Sequence, residues 1–249
     1  MNQTSIALET SRYRIRTIES RSELVRLLEL RSNIFSKDYG RAPPPSGLDV
    51  DRFDFVADHL AIECKQTGKC VGTYRLISSL QTSFFYSGTE FKIDDFLSTP
   101  GTKLELGRAC IEPEHRNGIT LTLLWKGILE YASKSGARYL FGCSSVKTES
   151  ESRADALIST WQAEGRVGTE WQIQPLPAFA FEAESPGIAD TAEWIETPAL
   201  LRSYFKAGAK VYGRGAYDRE FHCVDFFTVL DLDEMEDAYE RRFKLAGNA

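Results

Sequence analysis

The sequence has no apolar run of the ~20 residues that a membrane-spanning helix needs, and from its polar start, Met1 to Ser5, we expect no signal peptide. Histidine is scarce, with 3 residues in 249, and the 5 cysteines form neither a C-x-x-C pair nor a metal-ligand spacing with the histidines. We therefore predict no metal site and no disulfide framework. The odd cysteine count favours a reducing, cytoplasmic compartment.

Positive charge is also in the minority. The chain has 30 Lys and Arg against 36 Asp and Glu, which gives a formal charge of −6 and argues against a nucleic-acid partner. The segment 11–41 is the exception, with 8 basic and 4 acidic residues. This segment either steers an acidic partner or is a solvated helix face, and the charge pattern alone allows both interpretations.

The composition is otherwise that of an ordinary globular protein, with 42% hydrophobic and 27% charged residues. Its 249 residues predict a single domain, 1–249, with an irregular excursion at about 147–197. Helical spacing of apolar residues, strand alternation and turn residues predict an α/β (α+β) sheet covered by helices. The predicted helices are about 21–35, 119–134, 154–163 and 200–208, and the predicted strands are 12–16, 59–64, 70–77, 103–111, 138–143 and 222–230.

The strand from Lys103 to Ile111 is the most informative segment. Its leucines point to one face and Glu105 to the other, and a carboxylate on an apolar strand is expensive to bury without a use or a partner. A salt bridge to Arg108 or Arg75 is the structural alternative to a catalytic role. Strict alternation places Glu105 and Arg108 on opposite faces, so we expect a bulge or kink near Gly107 if they share a site.

The turn that follows this strand, Arg116-Asn117-Gly118, opens the helix at 119–134. The free backbone N–H groups and the positive end of the helix dipole at such a turn can bind phosphate. A short loop between a strand and a helix has the same appearance in many proteins, so the signal is weak by itself.

The order of elements and a set of residues spread over about 24–145 and 198–231 resemble the GNAT acyltransferase superfamily. The branch they resemble contains ornithine N-acyltransferases that use acyl carrier protein, often labelled hemolysin-like, and is related to acyl-homoserine lactone and N-acyl amino acid synthases. The residues that carry the resemblance are Arg31 with Phe35, Asp51-Arg52-Phe53-Asp54, His59, Gly72-Thr73-Tyr74-Arg75-Leu76, Phe85-Tyr86-Ser87, Glu90-Phe91, Glu105-Leu106-Gly107-Arg108, Arg138-Tyr139-Leu140-Phe141-Gly142-Cys143 and Gly208 to Asp218.

The resemblance implies a GNAT-like mixed central sheet with helices on both faces, in which strand 103–111 parts from strand 138–143 to admit a pantetheine arm. It also implies roles for particular residues. The catalytic residues would be Glu105, Arg108 and His59. The acceptor would be bound by Arg31, Phe35, Asp51, Asp54 and Arg75. The acyl donor would be bound by Ala109, Cys110, Ile111, Arg116 and Gly118.

The implied activity is transfer of a (3-hydroxy)fatty acyl group from acyl carrier protein to the α-amine of an amino acid, with ornithine as the first choice. No tightly bound cofactor is expected, only a phosphopantetheine-linked donor. The turn at Arg116 is shorter than the superfamily's pyrophosphate loop, and acyl-CoA is therefore the weaker candidate. Further expectations are a small amino-acid acceptor and a peripheral contact with the inner face of the membrane. The alternatives are an acyl-homoserine lactone or other N-acyl amino acid synthase and, outside enzymes, a membrane-active hemolysin-like protein.

Overall fold

The computed structural model describes residues 4–181 and 196–235, which form eleven strands and five α-helices. The strands are β1 (Ala7–Glu9), β2 (Tyr13–Thr17), β3 (Asp58–Cys64), β4 (Lys69–Ser78), β5 (Phe91–Lys92), β6 (Thr102–Ile111), β7 (Ala137–Val146), β8 (Val167–Gly168), β9 (Gln174–Pro175), β10 (Lys210–Asp218) and β11 (Cys223–Asp231). The helices are α1 (Arg21–Tyr39), α2 (Asp94–Ser98), α3 (Gly118–Ser135), α4 (Glu151–Ala163) and α5 (Ala199–Ala207).

The described residues fall into two compact units. Unit 1 contains residues 4–83 and 102–138, and unit 2 contains residues 84–101, 139–181 and 196–235. In the predicted excursion, 147–181 holds α4 with the short strands β8 and β9, whereas 182–195 lies outside the described residues. Among the described residues, no helix has both the length and the apolar composition to cross a bilayer.

Unit 1 is built on five antiparallel strands in the order β1-β2-β3-β4-β6. Helix α1 packs on β4 and β6, and α3 packs on β1, β2 and β3. The close approach of α3 depends on Gly127, because a Cβ at this position would lie 2.8 Å from Cδ1 of Ile15. Since α3 buries eight of its residues in this packing, its apolar face is used within the unit.

Strand β6 carries the predicted bulge. Its pairing with β4 shifts between Thr73–Cys110 and Arg75–Gly107, so that β6 holds one residue more than β4 over this interval. The irregular residue is Arg108, whose φ of 53° lies in the left-handed region, rather than Gly107. The bulge is thus confirmed one residue further along the strand. The separation of this strand from strand 137–146 stays a prediction.

Unit 2 has the strand order β7-β11-β10-β8, in which β10 and β8 are parallel and the other pairs antiparallel. The predicted α/β class with a mixed sheet and covering helices is therefore confirmed. The sequence did not predict β10, whose glycines interrupt the alternation. One of them, Gly213, has φ +72°, and a Cβ there would lie 2.2 Å from the carbonyl oxygen of Ile173.

The predicted elements are otherwise confirmed with shifted ends. Helix α1 runs four residues beyond the prediction, to Tyr39, and stops at Gly40, which has φ 65°. Its start is the predicted one, because the side chain of Ser20 accepts a hydrogen bond from the N–H of Glu23. Strand β7 runs three residues beyond its predicted end, to Val146.

Candidate active site

The candidate site of unit 1 is built around a short turn at Arg52–Phe55, between α1 and β3. Asp51 caps this turn by accepting the N–H of Phe53 at 2.8 Å, and the N–H of Asp51 donates to Oδ2 of Asp54 at 2.8 Å. These reciprocal bonds fix both carboxylates relative to the backbone. The turn therefore presents two oriented acids to the side chains of α1, β4 and β6.

Arg31 reaches the turn from α1 and is fully buried. Its Nη1 donates to Oδ1 of Asp54 at 2.6 Å and its Nη2 to Oδ2 of the same carboxylate at 3.1 Å, a bidentate pair. Its Nη2 also donates to the carbonyl oxygen of Asp49 at 2.7 Å, and its Nε lies 3.4 Å from Oδ2 of that residue. Sequence reasoning missed Asp49 as a partner; the acidic run that begins there was the available signal.

Two more arginines converge on Asp51. Nη1 of Arg75, on β4, donates to Oδ1 of Asp51 at 2.7 Å and lies 3.3 Å from Oδ1 of Asp54. Nη2 of Arg108, on β6, donates to Oδ2 of Asp51 at 3.1 Å. The side chain of Arg108 is 14% exposed, against 1% for Arg75 and 0% for Arg31. Arg108 is therefore the guanidinium of this cluster that a substrate can reach most easily.

Glu105 shares a sheet face with Arg75. On β4, Ile77 pairs with Glu105 and Arg75 pairs with Gly107, and paired residues point to the same face. A Cβ on Gly107 would lie 3.8 Å from Nη2 of Arg75, which shows that the Arg75 side chain crosses this glycine. Glu105 is 2% exposed. The bulge turns Arg108 to the same carboxylate, Asp51, that Arg75 holds on the sheet face of Glu105.

His59 completes this face, because it pairs with Arg75 across β3 and β4. Its Nε2 lies 3.2 Å from the carbonyl oxygen of Asp54 and donates to it, so the neutral ring carries its proton on this nitrogen. Its Nδ1 is buried and has no hydrogen-bond partner among the described residues. This geometry supports an orienting role for His59 at the Asp51–Asp54 turn.

Burial and ion pairing act in opposite directions on these acids. Burial acts to raise the pKa of Asp51, but the charges of Arg75 and Arg108 outweigh it and lower this pKa to about 2. The pKa of Asp54 is also lowered, because the bonds and charge of Arg31 overcome burial. The stability that these carboxylates contribute is fully present above pH ~4 and is lost as the pH falls toward 2.

His59 predicts a separate loss of stability at mildly acidic pH. Burial lowers the pKa of its imidazole to about 4, against 6.5 for an unburied ring. Between the pH values that match these two pKa values, the unfolded chain binds a proton on this imidazole and the folded protein does not. The free energy of unfolding should therefore fall by ~3 kcal/mol from pH 7 to pH 4. Urea unfolding at pH 7.0, 5.5 and 4.5 measures this slope. His59→Gln should flatten it, and parallel slopes for the two proteins would contradict the assignment.

The residues expected to bind the donor lie at the end of β6 and the start of α3. Ile111 pairs with Gly72, next to the Glu112–Val71 pair that is hydrogen-bonded at 2.8 Å. By the alternation of an antiparallel ladder, the N–H of Ile111 points away from β4. Its carbonyl oxygen accepts Nε of Arg116 at 2.8 Å. Ala109 lies within the bulge, and Cys110 is buried opposite Thr73.

The helix start after this strand is already capped. The side chain of Asn117 accepts the N–H groups of Ile119 at 3.0 Å and Thr120 at 3.2 Å. Arg116 pairs with Asp38 of α1. Space is open at Gly118, where a Cβ would meet nothing within 4 Å. Two of the N–H groups that would bind a pyrophosphate are thus occupied by Asn117.

The structure brings Arg31, Asp51, Asp54, Arg75 and Arg108 into one network, with Glu105 and His59 on the same sheet face. Phe35 lies one turn after Arg31 on α1, is half-buried, and packs edge-to-face on Tyr39 with ring centroids 6.1 Å apart. Each carboxylate of the turn already holds two guanidinium groups. The sequence did not predict that arginines of the same chain would pair with both carboxylates.

Known proteins similar to this chain are acyltransferases. Residues 30–126 match the family model described as an acetyltransferase (GNAT) domain. The L-ornithine N(alpha)-acyltransferase of Agrobacterium fabrum is 31% identical over 91% of this chain and 85% of its own length. The protein of the same name from Rhizobium meliloti is 30% identical over 90% of this chain and 81% of its own length.

Solved structures of acyl-homoserine lactone synthases share the fold. LasI superposes with a TM-score of 0.54 at 9% identity and covers 98% of this chain and all of its own. The CoA-dependent synthase BjaI superposes with a TM-score of 0.51 at 14% identity over 91% of this chain and 84% of its own. Because two L-ornithine N(alpha)-acyltransferases are at least 30% identical to this chain over more than two thirds of their own length, and residues 30–126 match a GNAT domain, the chain belongs to the L-ornithine N(alpha)-acyltransferase family of GNAT proteins.

Proposed function

We propose that this protein transfers a fatty acyl group from acyl carrier protein to the α-amine of L-ornithine. The observation that carries the proposal is the bulge of β6, which turns Arg108 to the carboxylate that Arg75 holds, on the sheet face that also carries Glu105. The names of the relatives supply the acceptor, and the family supplies the reaction class.

Glu105 is the general base of the proposed mechanism. The α-amine of a free amino acid is protonated at neutral pH and must lose a proton before or during its attack on the thioester carbonyl. The carboxylate of Glu105, held on one face of the hydrogen-bonded sheet, can take that proton directly or through one water molecule. The C–N bond forms and the C–S bond breaks, so that the acyl group ends on the α-nitrogen; the nitrogen gives up its second proton and pantetheine leaves as the free thiol.

The other groups position the substrates. The backbone N–H of Ile111, directed away from β4, is suited to stabilise the oxyanion that develops on the thioester carbonyl. Arg108, the most exposed guanidinium of the network, is suited to hold the carboxylate of the acceptor. Arg31, Asp54 and His59 hold the turn that places Asp51 against Arg75 and Arg108.

A product assay tests the proposal directly. The purified protein is incubated with L-ornithine and a 3-hydroxyacyl group on acyl carrier protein, and mass spectrometry follows N-acyl-ornithine. Lipid extracts of cells that overproduce the protein are compared with extracts from a Glu105→Gln strain. Accumulation of the acylated amino acid with the wild-type protein alone is the expected result, and its absence from both assays would overturn the proposal.

The basic segment at 11–41 supplies a second test, of the donor. Arg21 and Arg26 are exposed on α1. Acyl carrier protein is acidic, so changing both to Glu should raise the KM for the carrier-bound donor about tenfold and leave the rate with a free acyl-pantetheine nearly unchanged. Lys69→Glu with Lys206→Glu, at two exposed lysines elsewhere, is the charge-matched control. Equal losses with both donors would mean that the arginines serve the fold or the chemistry.

A further inference from the structure

The ion network of unit 1 is buried on one side and reaches solvent on the other. With Asp49 included, it holds six charged side chains. Three of them are 0% or 1% exposed, whereas Asp49, Asp51 and Arg108 are 15%, 23% and 14% exposed. We call Asp49, Asp51 and Arg108 the rim of the network. A small molecule that approaches the network from solvent meets the rim first.

Asp49 is fixed to α1 through its backbone. Its N–H donates to the carbonyl oxygen of Leu28 at 3.1 Å, and its own carbonyl oxygen accepts Nη2 of Arg31 at 2.7 Å. Its carboxylate is bound less tightly, because Oδ2 lies 3.4 Å from Nε of Arg31 and Oδ1 has no hydrogen-bond partner among the described residues. Asp49 therefore presents a carboxylate oxygen from a position that the backbone defines.

The other two aspartates of the network are more fully bonded. Each carboxylate oxygen of Asp51 accepts a guanidinium group, and so does each carboxylate oxygen of Asp54. Each of these carboxylates also accepts one backbone N–H group of the turn. Among these three acids, Asp49 is thus the one that can best accept a further donor.

The side chains of Asp49 and Asp51 point to the same side of the chain. Asp51 has an extended backbone with φ −132° and ψ 175°, and Val50 between the two acids is 43% exposed, which is the alternation of an extended segment. Residues two apart in such a segment lie ~6.5–7 Å from each other. Since Nη2 of Arg108 is 3.1 Å from the carboxylate of Asp51, the rim holds a guanidinium group and the Asp49 carboxylate at a comparable spacing.

This arrangement is complementary to an amino acid with a second amine. In extended ornithine, the carboxylate carbon and the side-chain nitrogen are about 6 Å apart. When Arg108 holds the carboxylate, the side-chain ammonium can reach Asp49 and donate one of its three N–H groups to Oδ1. All of these groups lie in unit 1, as does Glu105.

The charge of the network favours the same class of acceptor. The carboxylates of Asp49, Asp51 and Asp54 match the three guanidinium groups in number, and Glu105 adds a fourth acid on the sheet face that it shares with Arg75. An acceptor that brings one cation more than a monoamino acid compensates this additional acid.

We propose that Asp49 binds the side-chain ammonium of the acceptor and thereby selects diamino acids over monoamino acids. The inference rests on the proposed function, which supplies the acceptor and the role of Arg108. Asp49 is a specificity-determining residue in this scheme, because it contacts the end of the acceptor that does not react.

The test compares L-ornithine with L-norvaline, which has the same carbon skeleton without the second amine. With the wild-type protein, kcat/KM should favour ornithine by roughly 10–100-fold, as expected for a hydrogen bond between two charged groups. Asp49→Asn keeps the size of the side chain and an oxygen for Arg31. It should lower kcat/KM for ornithine by ~10–100-fold, mainly through KM, and change that for norvaline by less than about threefold.

Two further variants separate this role from other effects of charge. Glu29→Gln removes a carboxylate from the exposed face of α1, two residues before Arg31, and should leave the preference for ornithine unchanged. Asp51→Asn weakens the positioning of Arg108, so it should lower the rates with both acceptors alike and keep their ratio. Thermal unfolding establishes that each variant is folded. Calorimetric titration with the two amino acids needs no turnover, and Asp49→Asn should weaken the binding of ornithine alone.

The remaining outcomes distinguish the inference from the proposed function. If the wild type uses both amino acids equally, or if Asp49→Asn loses both alike, the inference is overturned and the proposed function stands. If Asp51→Asn abolishes the preference and Asp49→Asn does not, Asp51 binds the ammonium and the inference is again overturned. If the wild type acylates neither amino acid, the proposed function fails, and calorimetry decides the inference: ornithine binding that is the same in the wild type and in Asp49→Asn overturns it.

Discussion

Glu105→Gln is expected to lower kcat by about 10²–10⁴-fold with the fold intact, the range typical of the loss of a general base. Gln keeps the volume of the side chain on the face shared with Arg75, but it cannot accept the proton of the α-amine. Rates are measured with a fixed acyl donor over a series of pH values. Raising the pH should recover part of the lost rate, because the solution then supplies more neutral amine.

The matched control for this variant is Glu112→Gln, the same change at an acid just beyond the end of β6 whose side chain is 39% exposed. It should keep nearly the wild-type rate. If Glu105→Gln unfolds the protein, the carboxylate is a structural partner of the neighbouring arginines. A folded variant with nearly the wild-type rate would instead move the base elsewhere, with His59 as the next residue to test.

Asp54→Ala should lower the free energy of unfolding by about 3–5 kcal/mol, because it leaves the guanidinium groups of two buried arginines without their shared carboxylate. Arg31 and Arg75 are 0% and 1% exposed, so water cannot replace the lost partner. Urea unfolding near neutral pH, where Asp54 is ionised in the folded protein, measures the change.

Glu9→Ala provides the comparison for this prediction. Glu9 is about half exposed and pairs with Arg14 at 3.6 Å and Lys65 at 3.3 Å. Its loss should change the free energy of unfolding by less than ~1 kcal/mol, as for most surface ion pairs. Similar small losses for both variants would mean that the buried network contributes little to stability and serves only to orient the site.

The residues predicted best from the sequence are those whose role is set by neighbours along one strand. The alternation around Glu105 and the glycine after it were sufficient to predict a buried acid and a bulge, because both depend on the two-residue period of a strand. The left-handed backbone conformation of Arg108 was harder to predict, because any residue near a glycine in a bulge can be the irregular one.

The pairing of arginines with both carboxylates of the Asp51–Asp54 turn could not be predicted from the sequence. Its arginine partners come from positions 21 to 57 residues away in the chain, and their meeting depends on how α1, β4 and β6 pack.

The bulge in β6 also determines how this strand can vary in length. Between the Arg75–Gly107 and Thr73–Cys110 pairs, β6 has a single residue more than β4. Deletion of that residue would restore even alternation and leave the ladder to β4 unbroken. Deletion of a single codon would thus convert the bulged strand of the proposed site into a regular strand. In a lineage that no longer needs the reaction, an in-frame deletion here is the shortest change that keeps the sheet and removes the chemistry.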